Sequence, residues 1–264
     1  MMAEVTSALT QFHADLNRAT HLLNLIKEFR RFGGSVIPDE VADERTPWPE
    51  ALSLESSART VRTDLPVLAG SLLLYVCGRF EHFVREVIVA LADDLSSNAV
   101  TFEDLPESVR DALFDLTLTV AQNPRRFGYQ SIDAQQMVIA LAANINKEEN
   151  ATAIRSELLA VTEANMNNRI LAEVMKRVGV NDIWQEIGKQ APLKAHLNVS
   201  KDGACRAEAT SRLDEIMRDR NNLAHPTSST SFPDPDQVLE VCEFFAVLCR
   251  VLVDVVSVPR VTGS

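Results

Sequence analysis

The chain has 264 residues, of which 46% are hydrophobic and 24% charged, and this balance excludes disordered, collagen-like and small disulfide-scaffold proteins. Its formal net charge of -11 argues against a protein that coats nucleic acid non-specifically and against a basic binder of membrane surfaces, although a local basic patch can still work on an acidic body. Aromatic residues at 6% and nine glycines favour helices over a sandwich or barrel.

The first predicted helix runs from about Thr6 to Phe32. Leu9, Phe12, Leu16, Ala19, Leu23, Ile26 and Phe29 recur at three- and four-residue steps, and Gly33-Gly34 ends the run. From Gly33 to Ser56 the pattern breaks, because Pro38, Pro47 and Pro49 oppose a helix across that stretch, while Trp48 and Leu54 are placed to pin the loop to the body. A second long helix is expected from about Leu65 to Leu95, with Leu73, Val76, Phe80, Phe83, Val84, Val87, Ile88 and Leu91 on its apolar stripe. Shorter helices are predicted over Glu107 to Ala121, Ile132 to Ile145 and Asn165 to Val178, with a further turn or two from Ile183 to Ile187.

Two helices close the chain. One covers about Glu208 to Ala224 and is broken by Pro226. The other starts after Asp234-Pro235-Asp236 and continues to about Ser257. Val238, Val241, Cys242, Phe245, Leu248, Cys249, Leu252 and Val256 make that last helix broadly apolar, so it is either deeply buried or part of a subunit interface. No alternating strand pattern and no repeat is found, and the fold class is all-α.

The first residues carry neither a basic nor an apolar leader region, and the run from Phe244 to Val258 is interrupted by Arg250 and Asp254. Neither a signal peptide nor a membrane partner is expected. Cys77, Cys205, Cys242 and Cys249 show no CxxC spacing and read as reduced packing residues, which points to a cytoplasmic setting.

No phosphate-binding glycine loop, HExxH pair, Cys/His zinc spacing or GxSxG elbow is present, so no metal and no cofactor is expected. His13 and His21 lie eight apart without a third ligand in view. The segment that stands out is Arg218-Asp219-Arg220-Asn221-Asn222-Leu223-Ala224-His225-Pro226. Arg220 follows Leu213 by seven and Ile216 by four, and Asn221 follows Met217 by four, so both polar groups continue the apolar stripe of their helix. Burying them unpaired is costly, hence they either have partners inside or line a cleft. His225, biased out of helical geometry by Pro226, sits at the helix end as a group that titrates near neutrality. A fixed Arg suits a phosphate or the charge developing on one. The plainer reading is a helix C-terminus whose histidine interacts favourably with the last carbonyls.

The segment Arg220-Asn221-Asn222-Leu223-Ala224-His225 resembles the R-x4-6-H signature of HEPN domains. Gly78-Arg79-Phe80-Glu81-His82-Phe83 resembles the second helix of the RiboL-PSP-HEPN branch, and Asn167-Asn168-Arg169 through Val178-Gly179-Val180 is similar as well. The resemblance implies a HEPN-like helical bundle with extra helices between the second long helix and the motif helix. The chain then reads as a single domain over 1–264, with about 99–203 as a helical insertion. It also implies a metal-independent endoribonuclease, acting as a toxin or antiphage defence effector and leaving 2',3'-cyclic phosphate and 5'-hydroxyl ends. The alternative is a non-catalytic module that binds RNA, nucleotide or a partner. The implied roles are activation of the ribose 2'-hydroxyl, or protonation of the leaving oxygen, by His225. Arg220 would bind the scissile phosphate, and Asn221 would orient the histidine or the phosphate. Implied partners are RNA, a second copy in a homodimer that would engage the apolar last helix, and an antitoxin or other defence-system partner.

Further candidates come from the residues themselves. Glu81 interrupts the apolar stripe of the second long helix and is a candidate partner for Arg220 or His225, or else it reaches water at the stripe's edge. Its neighbours Arg79, His82 and Arg85 read as solvent-facing. Arg218, like Arg212, reads as solvated or as steering phosphate. Lys194, His196, Lys201 and Arg206 form a locally basic approach in a loop, and Pro124-Arg125-Arg126-Phe127-Gly128-Tyr129 is a basic and aromatic loop able to stack a base.

Overall fold

A computed structural model describes residues 1–35, 49–146, 154–227 and 229–258. Among these residues there is no strand, and the fold is all-α as expected. The helices are α1 (Met2–Phe32), α2 (Pro49–Val61), α3 (Leu65–Asn98), α4 (Glu107–Gln122), α5 (Ser131–Ile145), α6 (Ser156–Leu159), α7 (Asn168–Arg177), α8 (Ile183–Gly188), α9 (Ala191–His196), α10 (Asp202–Ala224) and α11 (Pro235–Ser257). Single 3-10 turns stand at Phe102–Asp104 and Pro124–Phe127.

The predicted stripes are buried. Phe12, Leu16, Ala19, Leu23 and Ile26 of α1 lie in the core, with Leu73 through Leu91 of α3 and Val238 through Val256 of α11. The burial of α11 extends to Phe244, Val251, Val253 and Val255, so of the two readings its composition allows, deep burial is the one seen within the chain. By length and composition α3 is, among the described residues, the one helix able to cross a membrane. Its buried stripe has the pattern of a core helix.

The stretch from Gly33 to Ser56 departs from expectation. Pro49 does not oppose a helix but starts α2, where its fixed φ suits the first turn and its missing N–H goes unneeded. Leu54 on α2 is 49% exposed and pins nothing. Pro38, Pro47 and Trp48 lie outside the described residues. Gly33 is needed for a reason other than a left-handed turn: a Cβ there would lie 2.7 Å from the carbonyl carbon of Ala58, so α2 crosses the end of α1 in backbone contact. Gly179, by contrast, has φ 76 and closes α7 in the left-handed conformation.

The chain divides into two compact units, and α1, α3, α10 and α11 each contribute residues to both. The first unit holds Met1–Phe12, Phe80–Met217 and Val247–Ser264. In it Phe12 stacks on Phe83 with ring centroids 5.3 Å apart, α4 packs on α5, and α7 on α8. Asp214 accepts the Asn168 backbone N–H at 3.0 Å, and the Trp184 indole donates to the Asn168 carbonyl at 2.8 Å. These bonds fix the start of α7, which begins three residues later than the periodicity predicts.

The second unit holds His13–Arg79 and Arg218–Ala246. At its centre Asp15, only 2% exposed, accepts from Arg79 Nε at 2.5 Å, Arg18 Nη1 at 2.6 Å and the Tyr75 hydroxyl at 2.9 Å. Arg30 pairs with Asp234 at 2.6 Å and Lys27 with Asp236 at 2.5 Å, so α1 is bonded to the first turn of α11.

Candidate active site at the end of helix α10

The packed stripe of α10 runs through Leu213, Ile216 and Met217 to Leu223, all buried. Arg220 lies between Ile216 and Leu223 on that stripe and is half-buried, as its spacing predicts. Asn221 is exposed, and so are Arg218, Asn222 and His225. The expectation that Asn221 lies on the packed face is therefore corrected. The stripe continues through Leu223, seven residues after Ile216, and this rotates Asn221 outward.

Arg220 Nη1 donates to Asn221 Oδ1 across a long 3.5 Å, so these two polar side chains face each other. The His225 backbone N–H still donates to the Asn221 carbonyl at 3.1 Å, and α10 ends at Ala224. Five residues on a continuous helix subtend about 140° around the axis, too far for two side chains to share a face. The helix stops at Ala224, just ahead of His225 and Pro226.

The segment after His225 is tied down. Thr230 N–H donates to the Thr227 carbonyl at 3.0 Å and Thr227 N–H to the Thr230 hydroxyl at 2.7 Å, which closes a hydroxyl-rich turn. Phe232 then packs at Gly70 of α3, where a Cβ would stand 2.9 Å from Phe232 Cδ1 and 3.3 Å from Leu223 Cδ2. Asp234 caps α11 by accepting the Asp236 N–H at 3.1 Å. The Arg30 guanidinium bonded to Asp234 holds that carboxyl below the ordinary carboxylate range.

Glu81 is half-buried in the first unit, where it accepts the Met166 N–H at 3.4 Å, so it holds the chain ahead of α7. Arg79 is not a solvent-facing bystander, since its guanidinium is bound to buried Asp15. Lys194, His196 and Arg206 are on helices rather than in a loop, and Lys194 is paired with Asp202 at 2.5 Å. Pro124–Phe127 is a 3-10 turn closed by left-handed Gly128, with Arg126 5.8 Å above the Phe127 ring and 3.3 Å from Glu163. Among the described residues no three of His, Cys, Asp and Glu gather as for a metal ion.

Sequence reasoning passed over Asp15 and Phe232. Asp15 carried a signal, because it breaks the α1 stripe three residues after Phe12 and four before Ala19, the same test that singles out Arg220. Phe232 carried none, since its partner Gly70 is remote in sequence.

Neither a curated protein nor a solved structure matches the chain. A family model does: that of RiboL-PSP-HEPN matches residues 50–258, from the start of α2 to the end of α11 and through the whole of the α10 motif. Its span leaves out only α1 among the helices and covers most of the sequence, so this chain belongs to the RiboL-PSP-HEPN family.

Proposed function

We propose that this chain is a metal-independent endoribonuclease that cuts RNA to 2',3'-cyclic phosphate and 5'-hydroxyl ends. The observation that carries the reading is the open end of α10, where a HEPN-family chain presents half-buried Arg220, its neighbour Asn221 and exposed His225 around a proline-enforced helix stop. His225 takes the proton of the ribose 2'-hydroxyl, or gives one to the departing 5'-oxygen, as the 2'-oxygen attacks phosphorus. Arg220, held by burial of its stem, meets the charge that grows on the phosphoryl oxygens. Asn221 orients the guanidinium it faces, and Arg218 adds positive charge on the approach to a chain that is acidic as a whole. The substrate is RNA, and the biological setting is a cytoplasmic toxin or antiphage defence effector, held in check by an antitoxin or another defence-system protein. A homodimer brings two such sites to one cleft, through a surface other than the buried α11.

The test incubates purified protein with total RNA and EDTA, beside a folded His225→Ala variant. Cleavage by the parent alone, with cyclic phosphate ends, is the expected result. An inert parent that still binds RNA through Arg220 makes the chain a binding module instead. Equal cleavage by both proteins means that the site has been misplaced.

A further inference from the structure

Phe232 is the residue of the second unit whose position the motif itself does not explain. The ring is seated at Gly70, where any side chain would collide with it, and Leu223 of the motif helix meets the same point at 3.3 Å. Phe232 and Leu223 therefore meet at Gly70, and Arg220 precedes Leu223 by three residues on the same face of α10. One edge of the ring is fixed by this seat, yet 37% of the residue remains exposed. The ring thus packs along one edge and presents the rest of its surface. Its loop is fastened on both sides, by the Thr227–Thr230 turn before it and by the Arg30–Asp234 pair after it.

Resting on the function proposed above, we infer that Phe232 is a stacking platform for a nucleobase next to the phosphate held by Arg220. A flat ring stacks on any base and contributes about 1–3 kcal/mol per base, with little preference for sequence. Pre-fixing the ring in the Gly70 seat removes the entropy cost of ordering it at the moment of binding. In the function proposed above Arg220 and His225 act on phosphate and ribose, so a ring beside Leu223 supplies the base contact that those groups do not.

The experiment uses the full chain carrying His225→Ala, so that binding is read without cleavage. Short RNA oligomers are compared with oligomers that carry an abasic nucleotide at each position in turn. Removing one particular base is expected to weaken binding about tenfold in the His225→Ala protein. Adding Phe232→Leu, which refills the Gly70 seat but cannot stack, abolishes that preference, and Phe232→Trp keeps it. If the Leu variant retains the preference, or if no position shows one, Phe232 is a packing residue and the inference falls while the ribonuclease reading stands. If no oligomer binds and Arg220→Ala changes nothing, both fall together.

Discussion

Asp15 shows what a single stripe-breaking residue can do. Its carboxylate is buried, and three donors from two helices converge on it, so the group is satisfied rather than merely tolerated. Replacing it with Ala deprives the partly exposed Arg79 guanidinium and Tyr75 hydroxyl of this acceptor. Loss of about 3 kcal/mol is expected, read as a drop in the urea midpoint at constant slope. Arg18→Ala at the same cluster costs under about 1 kcal/mol, because that arginine is mostly in water. Burial, with the Asp15 bond behind it, also raises the Tyr75 hydroxyl above its ordinary pKa, so its ionisation in an absorbance titration comes later than that of a free tyrosine. Gly33 makes the second residue-scale case. Gly33→Ala drives a methyl into the Ala58 carbonyl, backbone that cannot step aside, and costs about 1–3 kcal/mol in thermal or urea unfolding. Gly34→Ala, with nothing nearer than 3.6 Å, leaves stability unchanged and serves as the control.

At the scale of elements, the long helices were legible because each buries one face for many turns. The ends of α1, α4, α5, α10 and α11 agree with the structure to within a residue, while α11 starts at Pro235, inside the segment after which it was expected. Elements set by one turn or one contact were not legible. Proline at 49 carries opposite meanings inside and at the start of a helix, and periodicity cannot tell which applies to α2. The start of α10 at Asp202 lies six residues before the apolar pattern announces it, since its first turns show an exposed, charged surface. In the candidate site, the helix stop at His225-Pro226 was readable from local chemistry, whereas the partners of Arg79 and Phe232 come from other elements. The fastening of α1 to α11 carries a pH signature. The Asp234 carboxyl has a folded pKa below its unfolded one, so its contribution is complete above the ordinary aspartate range and is lost as pH falls through the folded value. Both partners are over a third exposed or nearly so, and the pair contributes less than about 1 kcal/mol. Arg30→Gln should thus lower the melting temperature slightly at pH 7, with the gap to the parent closing as pH falls below the ordinary aspartate range. A gap that persists unchanged at low pH means that Arg30 acts through packing alone.

For the whole molecule, the question is whether the two compact units unfold as one. Four of the helices contribute residues to both, so melting either unit removes the support from helical turns that belong to the other. Helix formation is cooperative along a segment, and an end without packing frays quickly. The cysteines report on each side of the division: Cys77 and Cys242 lie in the second unit, Cys205 and Cys249 in the first, and all four are buried. Burial pushes the Cys242 thiol up to about 11 and raises those of Cys205 and Cys249 as well, so the nucleophilic thiolate is scarce in the folded state at pH 8. Pulse alkylation at increasing urea, read by peptide mass spectrometry, should find all four thiols silent in the native protein. They should then become reactive at one common midpoint, which coincides with loss of helical circular dichroism. An earlier midpoint for Cys77 and Cys242 means that the unit carrying Arg220 and His225 opens by itself. In that case the open form has its own population, and RNA cleavage measured in sub-denaturing urea should fall with the reactivity of Cys242 rather than with total helix content.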